Sequence, residues 1–118
     1  MADPITLVVE STITAGKYDD LVALISEVSS HCAATEPGLQ RYDWFVNDDR
    51  TEVRVVEQYA DSDALRFHLR NYASYLPAMA ECRTPVRFTL LGEPDEALAA
   101  AMAERGALVF TSLASLPD

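Results

Sequence analysis

The chain is poor in positive charge. Nine lysines and arginines stand against nineteen acidic residues, a net charge of -10 over 118 residues. A surface that acidic repels phosphate backbones, and the few basic residues do not cluster, so nucleic-acid and anionic-membrane binding are both disfavoured. No apolar run approaches the ~20 residues that a membrane span needs. The N-terminus, MADPITLVVE, lacks a basic segment followed by an apolar one, so no secretory signal is expected and a cytoplasmic location is the default. Cysteine and histidine are scarce, two of each, and their spacings match no zinc pattern. Disulfides are unusual in cytoplasmic proteins, so Cys32 and Cys82 are expected as small core side chains. Phosphate loop, GxGxxG and a serine–histidine–acid set in recognisable context are missing, which argues against nucleotide-dependent chemistry and covalent hydrolysis.

What is present is ordinary globular material, 49% apolar and 24% charged, enough for one domain with a real core. Ile5 to Thr12 alternates and is mostly β-branched, a strand pattern. From Lys17 to about Thr35, Leu21, Leu24, Ile25, Val28 and Cys32 recur at helical spacing. Pro37-Gly38 is turn chemistry, because proline fixes φ and glycine accepts φ > 0. Leu39 to Val46 and Val53 to Tyr59 read as strands, and the polar Asn47 to Arg50 between them predicts an antiparallel hairpin. Asp61-Ser62-Asp63 supplies acceptors for a helix start. That helix carries Leu65, Leu69, Tyr72, Leu76 and Met79 on one stripe, and Pro77 predicts a break around Ser74 to Leu76. Thr84 to Gly92 returns to strand character, with Val86, Phe88 and Leu90 alternating against Arg87, Thr89 and Leu91. Glu93-Pro94-Asp95 then turns into an alanine-rich helix, Glu96 to Arg105. Gly106 suits its left-handed cap, and Ala107 to Ser112 predicts a last strand before the tail, 113–118.

The order β-α-β-β-α-β, followed by α-β, is a ferredoxin-like α+β arrangement with a C-terminal extension. Its core spans 5–92 and the extension 93–113. On the hairpin both alternating sets hold large apolar groups: Leu39 and Phe45 on one face, Tyr42, Trp44 and Val46 on the other. Val53 and Val55 likewise oppose Val56. A sheet apolar on both faces in so small a domain needs covering, so a homodimer with sheets packed face to face is expected.

The stretch EPGLQRYDWF, the hairpin, EVRVVEQYADSDAL and the following His68-Leu69 resemble the antibiotic biosynthesis monooxygenase family of dimeric α+β barrels. The tail GEPDEALAAAMAERGALVF resembles the extended C-terminus of some members. The resemblance covers residues 5 to 112 and is more specific for the fold than for any one reaction. It implies a dimer with a pocket in each subunit between sheet and helices. Characterised relatives oxidise quinols or aromatic polyketides with dioxygen, without metal or flavin, so no cofactor is expected. Haem-degrading relatives use an asparagine, a tryptophan and a histidine around the pocket. Here the second helix has His68 and Asn71, but Trp44 is on a strand, which argues against haem.

The resemblance places a histidine at His68 in many members. An unperturbed imidazole titrates near neutrality, so it suits removal of a proton from a phenol or hydroquinone, leaving an anion that reacts with dioxygen. Glu57 on the neighbouring strand is the expected orienter of that imidazole. Tyr72, four residues on along the same helical face, and Asn71 are candidate donors to a substrate oxygen. Trp44, Phe45 and Tyr42 are candidate packing surfaces for a small aromatic molecule, Tyr75 a candidate for the pocket mouth. Arg87 on the fourth strand and Arg41 on the second are candidates for holding a phenolate or peroxide anion. The reading is thus a cofactor-independent monooxygenase acting on a hydroxylated aromatic or quinol. Its rival is a non-catalytic dimer of the same fold that binds a small ligand or serves a structural role.

Overall fold

The structure, a computed structural model, describes residues 4–117; residues 1–3 of the N-terminal segment read above and Asp118 of the tail lie outside it. Ile5–Ile13 forms β1, and period-two alternation turns Ile5, Leu7, Val9, Ser11 and Ile13 inward. Tyr18–Thr35 forms α1, with Leu21, Val28 and Cys32 buried along one stripe. Leu39–Val46 and Glu52–Tyr59 form β2 and β3, the expected hairpin. Ser62–Tyr72 is α2, capped by Asp61, whose carboxylate accepts from the Ala64 amide at 2.9 Å. A single 3-10 turn, Ala73–Tyr75, separates it from α3, Leu76–Cys82. Pro77 lies in the first turn of α3, where its missing N–H leaves no bond unmade, so the break falls where the proline predicts. Arg83–Leu91 is β4, Glu96–Glu104 is α4 and Leu108–Phe110 is β5.

The strands form one sheet in the order β2-β3-β1-β4-β5. The first four pair antiparallel, the ferredoxin-like pattern, and β5 joins β4 in parallel after the α4 crossover. The helices cover one face. Leu98 and Met102 of α4 enter the same core as Ile5, Leu7, Val55 and Leu90, so the extension packs as part of the fold. No helix among the described residues is long and apolar enough to cross a membrane.

Two register shifts change which side chains face inward. The first lies in β2 between Leu39 and Arg41, and it turns Leu39 toward the core with Tyr42 and Trp44 instead of sharing a face with Phe45. The second, opposite Glu10 and Ser11, leaves Val86 unpaired and 63% exposed, out of the expected alternation with Phe88 and Leu90. A bulge is where a strand tolerates proline, and Pro85 occupies this one. The outer face is therefore mixed. Arg54 pairs with Glu10 across it at 3.2 Å, and its larger apolar groups are Val8, Val56 and half-exposed Phe45, with Leu91, Leu108 and Phe110 toward the opposite edge.

Gly38 differs from its expected role. Positive φ occurs at Gly16, Gly92 and Gly106, not at Gly38. What excludes a side chain there is space, since an added Cβ would lie 2.6 Å from the Ala64 Cβ of α2. Gly38→Ala is therefore expected to lower stability by about 1–3 kcal/mol, the range for overpacking, and Ala64→Gly in the same chain to recover part of that loss. Urea unfolding of the two single variants and the double variant measures it; purely additive losses would disprove the contact.

Candidate functional site

His68 is reached from both layers of the fold. Helical spacing puts it on the buried face of α2 between Leu65 and Tyr72, and it is 3% exposed. Strand register sets Tyr42, Glu57, Leu7 and Leu90 in a row across the inner face. The result is an imidazole among three tyrosine rings, with Tyr72 stacked at 5.4 Å, Tyr59 at 5.3 Å and Tyr42 at 5.6 Å between centroids.

Its two nitrogens meet two carboxylates. Nδ1 donates to both oxygens of Glu36, at 2.9 and 3.0 Å. Nε2 lies 3.5 Å from Oε1 of Glu57, which also accepts from the Tyr59 hydroxyl. Glu36, at the end of α1, is held in turn by Asn71, whose amide donates to it at 2.8 Å and to the Thr35 hydroxyl at 2.9 Å. His31 completes the chain by donating to the Asn71 carbonyl oxygen at 3.0 Å. Because Nδ1 donates to Glu36, a close approach of Nε2 to Glu57 requires a proton between them: on the imidazole with Glu57 ionised, or on Glu57 with the imidazole neutral. Burial pushes the Glu57 carboxyl well above the ordinary carboxylate range, and His68 and Tyr59 oppose that rise.

Cys32 stands next to this set, its Sγ 4.0 Å from Nδ1 of His68. Burial and the neighbouring Glu36 push its thiol up to about 12, so it is held protonated and is a poor nucleophile. Cys32, Glu36 and His68 each offer an atom within 4.8 Å of the others, the one set among the described residues with the donors and closeness that a divalent metal ion requires. Such an ion would displace the proton that Nδ1 now gives to Glu36. The spacing of these residues along the chain gave no hint of the set.

A cavity of about 160 Å³ opens against this set. Leu7, Val9, Leu69, Phe88 and Met102 supply its apolar wall, Tyr42 and Tyr72 its aromatic one, and half-exposed Leu76 stands at its margin. His68, Glu57 and Arg83 are the polar groups buried in the lining. Arg83 donates to the Ser11 hydroxyl at 2.8 Å and to the Tyr72 hydroxyl at 3.3 Å, and its guanidinium lies 5.1 Å from the Trp44 ring centroid.

Of the residues singled out by sequence, the cavity brings together His68, Glu57, Tyr72 and Tyr42. The others lie elsewhere. Asn71 faces α1 and positions Glu36, one residue position being enough to rotate it off the cavity side of α2. Trp44 and Phe45 line a separate groove with Tyr18, Leu21 and Val22, between α1 and the edge strand. Tyr75, in the 3-10 turn, packs behind the site against His31 and Tyr72. Arg87 lies on the outer face beside Glu10, and Arg41 pairs with Asp43. The carboxylate bonded to Nδ1 is Glu36 and not Glu57, which meets the other nitrogen. Glu36 and Arg83 were missed. A signal for Glu36 existed, since an acid at the negative end of a helix dipole is misplaced unless something else holds it.

Fold and cavity together define a ferredoxin-like α+β protein with an acid–imidazole–acid set beside a partly open, mainly apolar cavity. Residues 4–83 match the family model for antibiotic biosynthesis monooxygenases, and the chain belongs to that family. Among solved structures, MupZ from Pseudomonas fluorescens superposes with a TM-score of 0.87 at 19% identity, over 98% of this chain and 95% of its own. Rv0793 from Mycobacterium tuberculosis gives 0.66 at 26% identity, over 80% of this chain and 99% of its own. A Caulobacter crescentus protein named for antibiotic biosynthesis monooxygenase gives 0.68 at 21% identity, over 75% and 88%. No curated protein matches the chain.

The raised Glu57 predicts a pH dependence of stability. Below the ordinary value of 4.5 the carboxyl is protonated in folded and unfolded chains alike. Above it the unfolded chain releases a proton that the folded chain keeps, so folding becomes less favourable until the pH passes the raised value. Urea midpoints between about pH 5 and 8 are expected to fall less steeply in Glu57→Gln than in wild type. Identical slopes would show that Glu57 ionises as freely in the folded chain as in the unfolded one.

Proposed function

We propose that the chain is a monooxygenase that deprotonates a small hydroxylated aromatic or quinol and lets the resulting anion react with dioxygen. The observation that carries this reading is the buried Glu36–His68–Glu57 set, placed against a cavity of single-ring size. A cavity near 150 Å³ with apolar walls is known to admit one benzene ring. With Nδ1 tied to Glu36 and burial favouring the neutral form of Glu57, the basic position left to the cavity is Nε2 of His68, which takes the hydroxyl proton. The electron-rich ring carbon then adds dioxygen to form a peroxide. Loss of water leaves one oxygen atom as a carbonyl and releases the other, with the substrate's own C–H and O–H bonds supplying the electrons. The Tyr72 hydroxyl accepts from Arg83, which leaves its own proton free for a substrate oxygen. Family membership and the named relatives support the oxygenase class. Family membership also supports pairing of two copies through the outer sheet faces, whose apolar groups include the neighbouring Val8 and Val56.

A non-catalytic binder of the same fold is the second reading, and it draws on the two-point tie between His68 and Glu36, which would suit a purely structural imidazole. Oxygen uptake with a panel of hydroquinones and dihydroxyaromatics separates the two. Uptake is expected in wild type, and to fall ~10²-fold or more in His68→Ala, the range for a lost general base. Equal uptake in both proteins would remove His68 from the chemistry, and no uptake above the protein-free control would favour the binder.

A further inference from the structure

We infer that the cavity takes its ligand as an anion: a single-ring aromatic acid whose carboxylate is held by Arg83. Arg83 is 7% exposed, yet among the described residues it forms no salt bridge. Its hydrogen-bond partners are two neutral hydroxyls, on Ser11 and Tyr72, and its Nε is buried with no acceptor at all. A guanidinium cannot shed its charge, so it stays cationic wherever it is buried. A buried cation without a counterion is strongly unfavourable unless something else supplies the negative charge.

The residue that would ordinarily do so is Glu57, on the same cavity wall. Its Oε1 is already engaged by Tyr59 and His68, and although the Arg83 charge opposes it, burial favours the neutral form and the two side chains form no salt bridge. The uncompensated guanidinium lines the cavity and therefore points to an anionic ligand there. A guanidinium presents parallel N–H groups that match the two oxygens of a carboxylate. The flat face of Arg83 is already occupied by Trp44, so recognition goes through its edge. The remaining walls, Leu7, Val9, Phe88 and Met102, suit a ring, and the volume of about 160 Å³ limits it to one. Charge distribution agrees. The chain has nine basic residues against nineteen acidic ones, yet both Arg83 and exposed Arg105 line this cavity and Glu57 is its single acid. That makes a local sink for anions on a surface that otherwise repels them.

This deepens the reading of the cavity as the substrate site, but it does not depend on dioxygen as the co-substrate. The test is binding of para-hydroxybenzoate and its uncharged isostere para-hydroxybenzamide, followed by the fluorescence of Trp44, the chain's one tryptophan. Wild type is expected to bind the acid about tenfold or more tightly than the amide, the scale of one charge-assisted hydrogen bond. In Arg83→Gln the ratio is expected to fall to about one, and in Arg83→Lys, which keeps the charge but not the fork, to lie between. Circular dichroism checks that each variant folds, and if Arg83→Gln does not, the Arg83→Lys ratio decides. Equal affinities in wild type, a ratio that Arg83 substitutions leave unchanged, or no binding of either compound would overturn the proposal. Acid-selective binding without oxygen uptake would defeat the monooxygenase reading alone. Uptake with a neutral quinol alongside unselective binding would defeat this one alone.

Discussion

The bond from Nδ1 of His68 to both oxygens of Glu36 is the contact on which the site depends. It joins the end of α1 to the middle of α2, beside the bonds that Asn71 of α2 makes to His31, Thr35 and Glu36. It also decides the chemistry. By occupying Nδ1 it leaves Nε2 as the only nitrogen that faces Glu57, and so sets which tautomer the cavity meets. Glu36 can accept this role because Asn71 and the turn at Pro37-Gly38 hold it at a helix end where the dipole alone would repel it. The tight approach of Gly38 to Ala64 of α2 belongs to the same arrangement, since it brings the Glu36 turn against the helix that carries His68.

Three buried polar features of this region do nothing for stability by themselves. Glu57 is desolvated enough to resist ionisation, Arg83 has a donor with no acceptor, and the Trp44 indole N–H is buried without one. Buried polar groups are almost always satisfied. Here Glu57 and Arg83 line the cavity and Trp44 stacks on the back of Arg83, so the fold gives up stability around this wall, the usual condition of a binding or reacting site. The rest of the inner face, from Ile5 and Val55 to Leu90 and Leu98, packs as an ordinary apolar core.

Most of the architecture was legible in the sequence because it rests on periodicity. Alternation in Ile5 to Ile13 and helical spacing from Leu21 to Cys32 are local, and Pro77 marks its own break. What local pattern does not carry is register. One extra residue at Gln40 or Val86 reverses the facing of its neighbours, and only the pairing with β3 or β1 shows it. Leu39 was therefore placed with Phe45, and Val86 with Phe88 and Leu90, when the shifts separate them. The site was half legible for the same reason. His68, Tyr72, Glu57 and Tyr42 follow from a helix face and a strand face. Glu36 and Arg83 arrive from an element end and a bulged strand, where no periodicity points. Arg87 was the natural choice on β4, but the bulge and the strand face turn it to the outer surface beside Glu10.

The boundary of the family match has a chemical meaning. It ends at Arg83, so it includes His68, Glu57, Glu36 and the tyrosines, the groups that would move a proton. Pro85, Phe88, Met102 and Arg105, which complete the cavity wall, lie beyond it. Met102 comes from α4 and Arg105 directly follows it, and Leu98 and Met102 are buried in the core and fix the helix in place. MupZ shares nearly the whole length, whereas Rv0793 superposes over four-fifths of the chain. The matched segment thus supplies the candidate acid–base groups and Arg83 together, while the extension closes one side of the cavity through Met102 and Arg105. A change in the α4–β5 unit, which joins the sheet only through β4, would alter the size of the cavity without touching His68, Glu57 or Arg83.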